Sequence, residues 1–251
     1  MNVISVIIIA KNEAVNIVDC VLSAALVSHD IIVADNGSTD NTASLATQAG
    51  ARVLNVPWNG YGQTRNEAAA MAKNDWVIAL DADERITPPF AASINNLSLT
   101  NAGILYGCKR ENFLGVKKIR FGEWGRDKVY RLYNRQQASW NLMLVHETIT
   151  GNNISKKIIP GALLHYTMKD RAEYQAKTIL YAQLSATKYA AQGKKASPVK
   201  RFISPVFSFI QNYIFRLGFL DGKEGFVIAC TSCRYIFLKY KFLYLLLQKK
   251  N

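Results

Sequence analysis

Short apolar runs alternate with polar and helix-forming segments along the first 80 or so positions of the chain. The apolar runs are rich in β-branched residues and predict four strands, at residues 3–9, 30–35, 51–56 and 76–80. Helices are predicted at residues 14–28 and 63–72. Strands of this composition are typical of a parallel sheet buried on both faces. Their alternation with helices predicts right-handed crossovers in a doubly wound, mostly parallel α/β sheet.

Polar residues follow three of the predicted strands. These clusters cover residues 11–13, 35–40 and 81–84. In doubly wound sheets, ligands bind beyond the carboxyl ends of the strands. We therefore expect a ligand site where the three clusters meet.

Asp81 and Asp83 stand one residue apart, where the fourth predicted strand ends. Two carboxylates and the oxygens of a phosphate suit Mg²⁺ or Mn²⁺. A metal there would stabilise the negative charge that develops on a leaving nucleoside diphosphate. The same spacing is common among solvated loop acids. Its position after a buried strand favours a metal site that holds a nucleotide diphosphate.

Other candidate residues carry two interpretations each. Asp35 ends an apolar strand, so it is either a turn acid or an acceptor of hydrogen bonds from a nucleobase or ribose. His165 is either a core histidine or a contact to donor phosphates. The pair Cys230 and Cys233 has redox or zinc spacing, but no second ligand pair accompanies it, so buried structural cysteines are expected.

The later chain changes in character. Residues 105–145 predict short strands separated by turns, which we interpret as facing a second substrate. Residues 171–192 predict a helix, and two apolar, aromatic stretches follow at residues 202–218 and 225–247. We predict a catalytic domain over residues 1–193 and a helical, membrane-associating extension over residues 194–251.

Positive charge is concentrated in that extension. The formal net charge is +13. From Lys194 to the end there are eleven basic residues and only two acidic ones, Asp221 and Glu224. These cations are interspersed with Phe, Tyr, Leu and Ile, unlike the polar basic face that binds nucleic acid. The mixture indicates an anionic membrane surface instead. The scattered cysteines and the start of the chain, which leads directly into a strand, predict a cytoplasmic protein.

Three sequence motifs resemble those of family 2 glycosyltransferases with the GT-A fold. They lie in order within the first 90 residues and are Ser5–Glu13, Ile32–Thr42 and Ala79–Glu84. Within the family, the chain is similar to the enzymes that transfer glucose to heptose during lipopolysaccharide core assembly. That resemblance rests on Trp140, on Val145-His146-Glu147 and on the segment from Phe219 to Phe226.

The resemblance implies a set of donor contacts. Ala10, Lys11, Asn12, Glu13 and Asp35 would contact the uridine of a UDP-sugar, and Arg65 would lie near the diphosphate. Asp81 and Asp83 would serve as metal and ribose ligands, with His146 as a further metal or phosphate contact.

The catalytic base is the least determined part of the predicted site. Inverting members use a carboxylate to deprotonate the acceptor hydroxyl, often from a pair of acids after the fourth strand. No such pair follows that strand in this sequence. Glu147 is the best substitute, and Asp127, flanked by Arg126, Lys128 and Arg131, is the alternative base.

The motifs and the resemblance thus predict an inverting, metal-dependent enzyme that transfers a hexose, with glucose from UDP-glucose favoured, to a sugar of a lipid-anchored glycan such as the lipopolysaccharide inner core. It would be peripherally bound to the cytoplasmic face of the bacterial inner membrane. A polyprenyl-phosphate acceptor and a non-catalytic nucleotide-sugar-binding scaffold are the alternatives. A nucleotidyltransferase is disfavoured, because no Gly-rich, Lys/Arg-containing loop follows the first strand.

Overall fold

The computed structural model describes residues 3–143, 147–168 and 171–248. The chain divides into two compact units. Met1–Arg110 and Lys128–His165 form the first, and Glu111–Asp127 and Tyr166–Asn251 form the second. The predicted domain division at residue 193 stays a prediction.

The described strands are β1 Ile4–Ala10, β2 Asp30–Asp35, β3 Arg52–Asn55, β4 Trp76–Asp81, β5 Glu84–Ile86, β6 Ile104–Leu114, β7 Lys117–Lys118, β8 Lys128–Asn134, β9 Ala138–Trp140, β10 Ile149–Gly151 and β11 Ser155–Met168. The described helices are α1 Ile17–Ala24, α2 Thr42–Gln48, α3 Tyr61–Ala70, α4 Pro88–Asn95, α5 Arg171–Ala191, α6 Pro198–Ile210 and α7 Lys223–Gln248. The four early strands and the helices α3 and α5 match their predicted positions closely. The helix predicted at residues 14–28 is shorter at both ends. A turn in which the Asn16 N–H bonds to the Glu13 carbonyl precedes it, and after Ala24 the N–H groups of Leu26 and Val27 bond to carbonyls three residues back.

The first unit is built on a mixed sheet in the order β3-β2-β1-β4-β8-β6-β11-β5. The first four strands in this order pair in parallel, which confirms that part of the predicted α/β sheet. From β4 onward, β8 pairs antiparallel with β4 and with β6, and β11 pairs antiparallel with β5. The predicted short strands of residues 105–145 include one long strand, β6, which runs for 11 residues.

Strand β1 is buried on both faces, as its composition predicts. Val6 and Ile8 pack in one apolar cluster with residues of α1. Ile7 and Ile9 point to the other face and pack with residues of α3. Burying each such side chain contributes roughly 1.5–3 kcal/mol relative to exposure. The helices on both faces therefore fix the position of the carboxyl end of β1.

The second unit is mainly helical. Helices α5 and α6 both pack against α7, and α6 continues into a π-helical turn, Gln211–Phe215. Asp221 is buried, and its carboxylate accepts hydrogen bonds from the backbone N–H groups of Arg120 and Phe121. Within the described ranges, no helix combines the length and apolar character needed to cross a bilayer.

Gly225 lies where a side chain could not fit. A Cβ atom at this position would stand 1.9 Å from the carbonyl oxygen of Gly218. Together with the buried Asp221, this close approach gives the segment from Phe219 to Phe226 a structural role in its own unit.

Candidate active site

The carboxyl ends of β2, β1 and β4 lie side by side in the first unit. Ala10 of β1 is in register with Asp35 of β2, and its neighbour Ile9 is in register with Asp81 of β4. The chain runs from β1 outward to β2 and β3 and then returns to place β4 on the other side of β1. Such a reversal of strand order is where open α/β sheets bind ligands. The expectation that these strand ends meet is confirmed.

The loops after β1 and β2 are hydrogen-bonded to each other. The Asn12 N–H donates to Ser38 Oγ at 2.9 Å, and Asn12 Oδ1 accepts from the Thr39 N–H at 2.8 Å. Asn12 has a φ of 55°, a left-handed conformation that asparagine tolerates better than most residues. The N–H of Glu13 donates to Thr42 Oγ1 at 2.8 Å. These bonds give the two loops a defined shape at the predicted uridine end of the site.

Asp35 is 4% exposed, and its carboxylate accepts hydrogen bonds from both the N–H and the hydroxyl of Ser38. This arrangement is the turn-acid interpretation of the residue. A carboxylate has acceptor capacity beyond these bonds. Ala10, the last residue of β1, is buried, and the next residue, Lys11, is exposed. Their predicted contacts to uridine stay predictions.

Asp81 is held between two arginines. Its Oδ1 pairs with Arg65 Nη2, and its Oδ2 accepts from Arg131 Nη2 at 2.8 Å. Burial raises the pKa of Asp81, but the guanidinium groups of Arg131 and Arg65 lower it by more, so its pKa lies well below the usual range. The carboxylate is therefore ionised at neutral pH.

Arg65 joins Asp81 to the predicted base. The guanidinium is 2% exposed, and its Nη1 donates to Glu147 Oε1 at 2.7 Å. It also lies 4.4 Å from the centre of the Trp140 ring, where a cation is attracted to the aromatic face. Two carboxylates and one indole thus fix the orientation of a single cation that the sequence predicts near the diphosphate.

Glu84 and Arg131 complete a buried charge cluster. Glu84 belongs to the polar cluster of residues 81–84 that the sequence predicts at the ligand site, but neither it nor Arg131 was predicted to have a role there. Glu84 is fully buried and accepts from Arg131 at 2.6 Å, from Arg110 at 3.3 Å and from the Asp81 N–H at 3.2 Å. The sequence predicts Arg131 as one of the cations that flank Asp127. Its occurrence between the apolar residues Tyr130 and Leu132 was the available signal, because arginine is buried in a strand only when it is paired.

Asp83 has a different environment from Asp81. Its Oδ2 lies 3.4 Å from His165 Nε2, and its Oδ1 is buried without a hydrogen-bond partner within the described residues. An unpartnered buried carboxylate oxygen costs free energy unless a ligand satisfies it. His165 stands opposite Glu84 in the β11–β5 pairing, which places it at this strand end rather than in a separate core.

The structure therefore gives the two aspartates separate partners. In the ranges that it describes, no group of three or more His, Cys, Asp and Glu side chains is arranged around a common point to hold a metal. One carboxylate and one imidazole do fit a divalent cation whose remaining ligands are phosphate oxygens and water. Asp83 and His165 are that pair.

Two other residues were predicted to belong to the site. His146 lies outside the described residues. Asp127 belongs to the second unit, where its carboxylate accepts from Asn112 Nδ2 at 3.2 Å. Of the two predicted bases, Glu147 is the one that the first unit connects to the strand-end acids.

Comparison with known proteins agrees with the resemblance that the motifs suggested. Residues 5–157 match the model of glycosyl transferase family 2. The chain belongs to this family and is a glycosyltransferase.

The particular relatives are bacterial. An uncharacterized glycosyltransferase of Rickettsia prowazekii is 30% identical over 90% of this chain and 82% of its own length. The lipopolysaccharide core biosynthesis glycosyltransferase LpsC of Rhizobium meliloti is 28% identical over 94% of this chain and 89% of its own length. A solved glucosyl-3-phosphoglycerate synthase of Mycobacterium tuberculosis, in complex with Mn²⁺, UDP and glucosyl-3-phosphoglycerate, is 31% identical over 44% of each chain, with a TM-score of 0.35.

Proposed function

We propose that the protein is an inverting, metal-dependent transferase that moves glucose from UDP-glucose to a sugar of a lipid-anchored glycan, such as the lipopolysaccharide inner core. The observation that carries the proposal is the bridge formed by Arg65 between Asp81 and Glu147. Through this bridge the candidate base Glu147 contacts the same guanidinium as Asp81. Asp81 ends the strand where we expect the nucleotide diphosphate to bind.

The donor lies across the ends of β2, β1 and β4 in this proposal. Asp35 and the loop of Ala10, Lys11, Asn12 and Glu13 contact the uridine. Arg65 binds the diphosphate on the side of Asp81, and the planar guanidinium suits phosphate oxygens as well as carboxylates. Asp81 orients Arg65 and takes part in holding the ribose or the metal.

Asp83 and His165 are the protein ligands that we assign to Mg²⁺ or Mn²⁺. The unpartnered Oδ1 of Asp83 faces no competing donor within the described residues, and His165 Nε2 lies beside the other oxygen of the same carboxylate. When bound, the cation neutralises charge that develops on the leaving diphosphate. His146 is kept as a further candidate ligand.

Glu147 acts as the general base in this proposal. Its carboxylate accepts the proton of the acceptor hydroxyl while the hydroxyl oxygen forms a bond to the anomeric carbon. The bond between that carbon and the diphosphate oxygen breaks on the opposite face, so the configuration at the anomeric carbon inverts. Arg65 and the metal ligands remain in place and receive the departing UDP.

The acceptor assignment rests on the relative whose printed name places it in lipopolysaccharide core biosynthesis. The similarity extends over nearly the whole length of both chains, so it includes the segments expected to face the acceptor. A nucleotide-sugar donor and a lipid-anchored acceptor meet at the cytoplasmic face of the bacterial inner membrane, which is the location that we propose.

The test is a transfer assay with UDP-glucose, Mn²⁺ and a truncated lipopolysaccharide that ends in heptose. We expect a new glucosidic bond whose anomeric configuration, read by NMR, is opposite to that of the donor. Parallel reactions contain polyprenyl phosphate instead of the glycan. A sugar phosphodiester formed there, with no transfer to the glycan, would overturn the acceptor assignment. UDP-glucose binding without any turnover would favour a non-catalytic scaffold.

A further inference from the structure

The outer face of α6 and of the π-helical turn after it is apolar and exposed. Seven apolar side chains recur every three or four residues along it, and each has between 37% and 62% of its surface exposed: Val199, Phe202, Ile203, Val206, Phe207, Ile210 and Ile214. We call this set the α6 face. The apolar stripe of an amphipathic helix normally faces the core, so an outward stripe of this length indicates a binding surface.

The opposite side of α6 packs against the rest of its unit. Pro205 and Asn212 are buried there, and Phe209 contacts the ring of Phe226 on α7 at a centroid distance of 6.0 Å. Helix α6 therefore has one side fixed on α7 and a second apolar side directed to solvent. At the margin of the α6 face, Phe202 also contacts the ring of Phe237 on α7, at a centroid distance of 6.0 Å. The other residues of the α6 face remain exposed to solvent.

Basic residues are frequent in the segment that contains the α6 face. Between residues 193 and 226 there are six of them: Lys194, Lys195, Lys200, Arg201, Arg216 and Lys223. The same segment contains two acids, Asp221 and Glu224, and Asp221 is buried with its carboxylate bound to backbone N–H groups. The segment that carries the stripe therefore has a net positive charge.

We propose that the α6 face docks the protein on an anionic lipid bilayer. Its aromatic and aliphatic side chains enter the interface, and the lysines and arginines of the same segment extend to the lipid phosphates. A second copy of the chain is the competing occupant. Self-association would bring two cationic segments together, which is electrostatically unfavourable, whereas an anionic surface complements them.

Docking through this face is independent of the chemistry proposed for the first unit, because none of its residues belongs to the candidate active site. Its biological consequence would be to keep the protein on the same surface as its acceptor. A protein held at the membrane meets a lipid-anchored acceptor in two dimensions, and its encounter no longer depends on diffusion through bulk solution.

The experiment is co-sedimentation of the full chain with sucrose-loaded vesicles of phosphatidylcholine alone or of an equimolar mixture with phosphatidylglycerol. We expect the protein to pellet with the anionic vesicles and to be released as salt rises, because salt screens the cationic segment. The double variant Phe202→Ser, Phe207→Ser should bind these vesicles at least about tenfold more weakly, since two aromatic side chains no longer enter the interface.

A matched control carries Leu22→Ser and Met71→Ser, two exposed apolar residues of the first unit with 55% and 53% exposure. It should pellet like the wild type, and thermal unfolding should show that both double variants remain folded. Equal pelleting of the Phe202→Ser, Phe207→Ser variant and the wild type would overturn the proposal. So would a wild-type dimer, seen by light scattering, that the same variant splits while vesicle binding is absent.

Discussion

Arg65 and Glu147 are 82 positions apart in the sequence, and their side chains form an ion pair with an Nη1–Oε1 distance of 2.7 Å. The same guanidinium is bound to Asp81 at the end of β4. A single buried arginine thus connects the expected diphosphate site with the candidate base. Both ends of the connection can be tested separately.

Arg65→Lys tests the geometry of this bridge. An ammonium group keeps the charge but cannot form the planar fork that contacts two carboxylates at once. We expect a folded protein whose transfer rate falls by about a hundredfold, the loss typical of a misplaced reacting group. Initial rates and UDP affinity by calorimetry provide the measurement.

Arg52→Lys is the matched control. Arg52 also pairs with an aspartate of the first unit, Asp30, but its side chain is 39% exposed and the distance is 3.6 Å. Exposed pairs contribute about 0–1 kcal/mol, so this variant should retain nearly normal rates. A wild-type rate in Arg65→Lys would contradict the bridging role.

Glu147→Gln tests the base. Glutamine retains an oxygen that can accept from Arg65, but it cannot take up a proton from the acceptor. We expect UDP binding to stay within a fewfold of wild type and the turnover number to fall by about 10²–10⁴, the usual contribution of a general base. Asp127→Asn should retain activity if Glu147 is the base. The reverse result would transfer the assignment to Asp127.

Asp83→Asn and His165→Gln test the metal ligands. We expect each variant to lose the Mn²⁺-dependent part of UDP binding, because each removes one of the two protein ligands that we assign. Titration of Mn²⁺ followed by electron paramagnetic resonance, with and without UDP, measures this directly. His29→Gln provides a histidine control and should not change the affinity. Unchanged Mn²⁺ binding in both site variants would rule out this ligand pair.

The lowered pKa of Asp81 predicts a dependence of stability on pH. A carboxyl group with a lowered pKa in the folded state stabilises that state above its unfolded pKa, about 3.9, and the contribution is lost as the pH falls further toward the folded pKa. The unfolding free energy should therefore be higher for the wild type than for Asp81→Asn. We expect the difference in unfolding free energy between the two proteins, called the gap below, to be constant between about pH 7 and 5 and to shrink below about pH 4.

Urea unfolding at each pH measures the gap, with Asp19→Asn as the comparison. Asp19 also pairs with an arginine, but its side chain is 65% exposed, so its substitution should have a small effect at every pH. A gap for Asp81→Asn that grew as the pH fell from 5 to 3 would contradict the role of the two guanidinium groups.

Local pattern was sufficient for the framework of the first unit. Apolar, β-branched runs specify strands wherever both faces are buried, and the polar residues that follow them mark the edge where ligands bind. That is why the parallel strands, the meeting of Ala10, Asp35 and Asp81, and the family could be read from the sequence. The direction of the strands after β4 was not predicted, because antiparallel pairing depends on the partners that a strand finds.

The sequence by itself determined which residues end the parallel strands, and it did so because burial imposes its pattern within a few neighbouring positions. Only the tertiary structure decided the partners of those residues. Arg131 reaches Glu84 and Asp81 from 47 and 50 positions away, and His165 reaches Asp83 from a strand near the end of the first unit. A charge is buried only when a partner compensates it, and such partners come from other strands of the sheet, whose order the linear pattern does not specify.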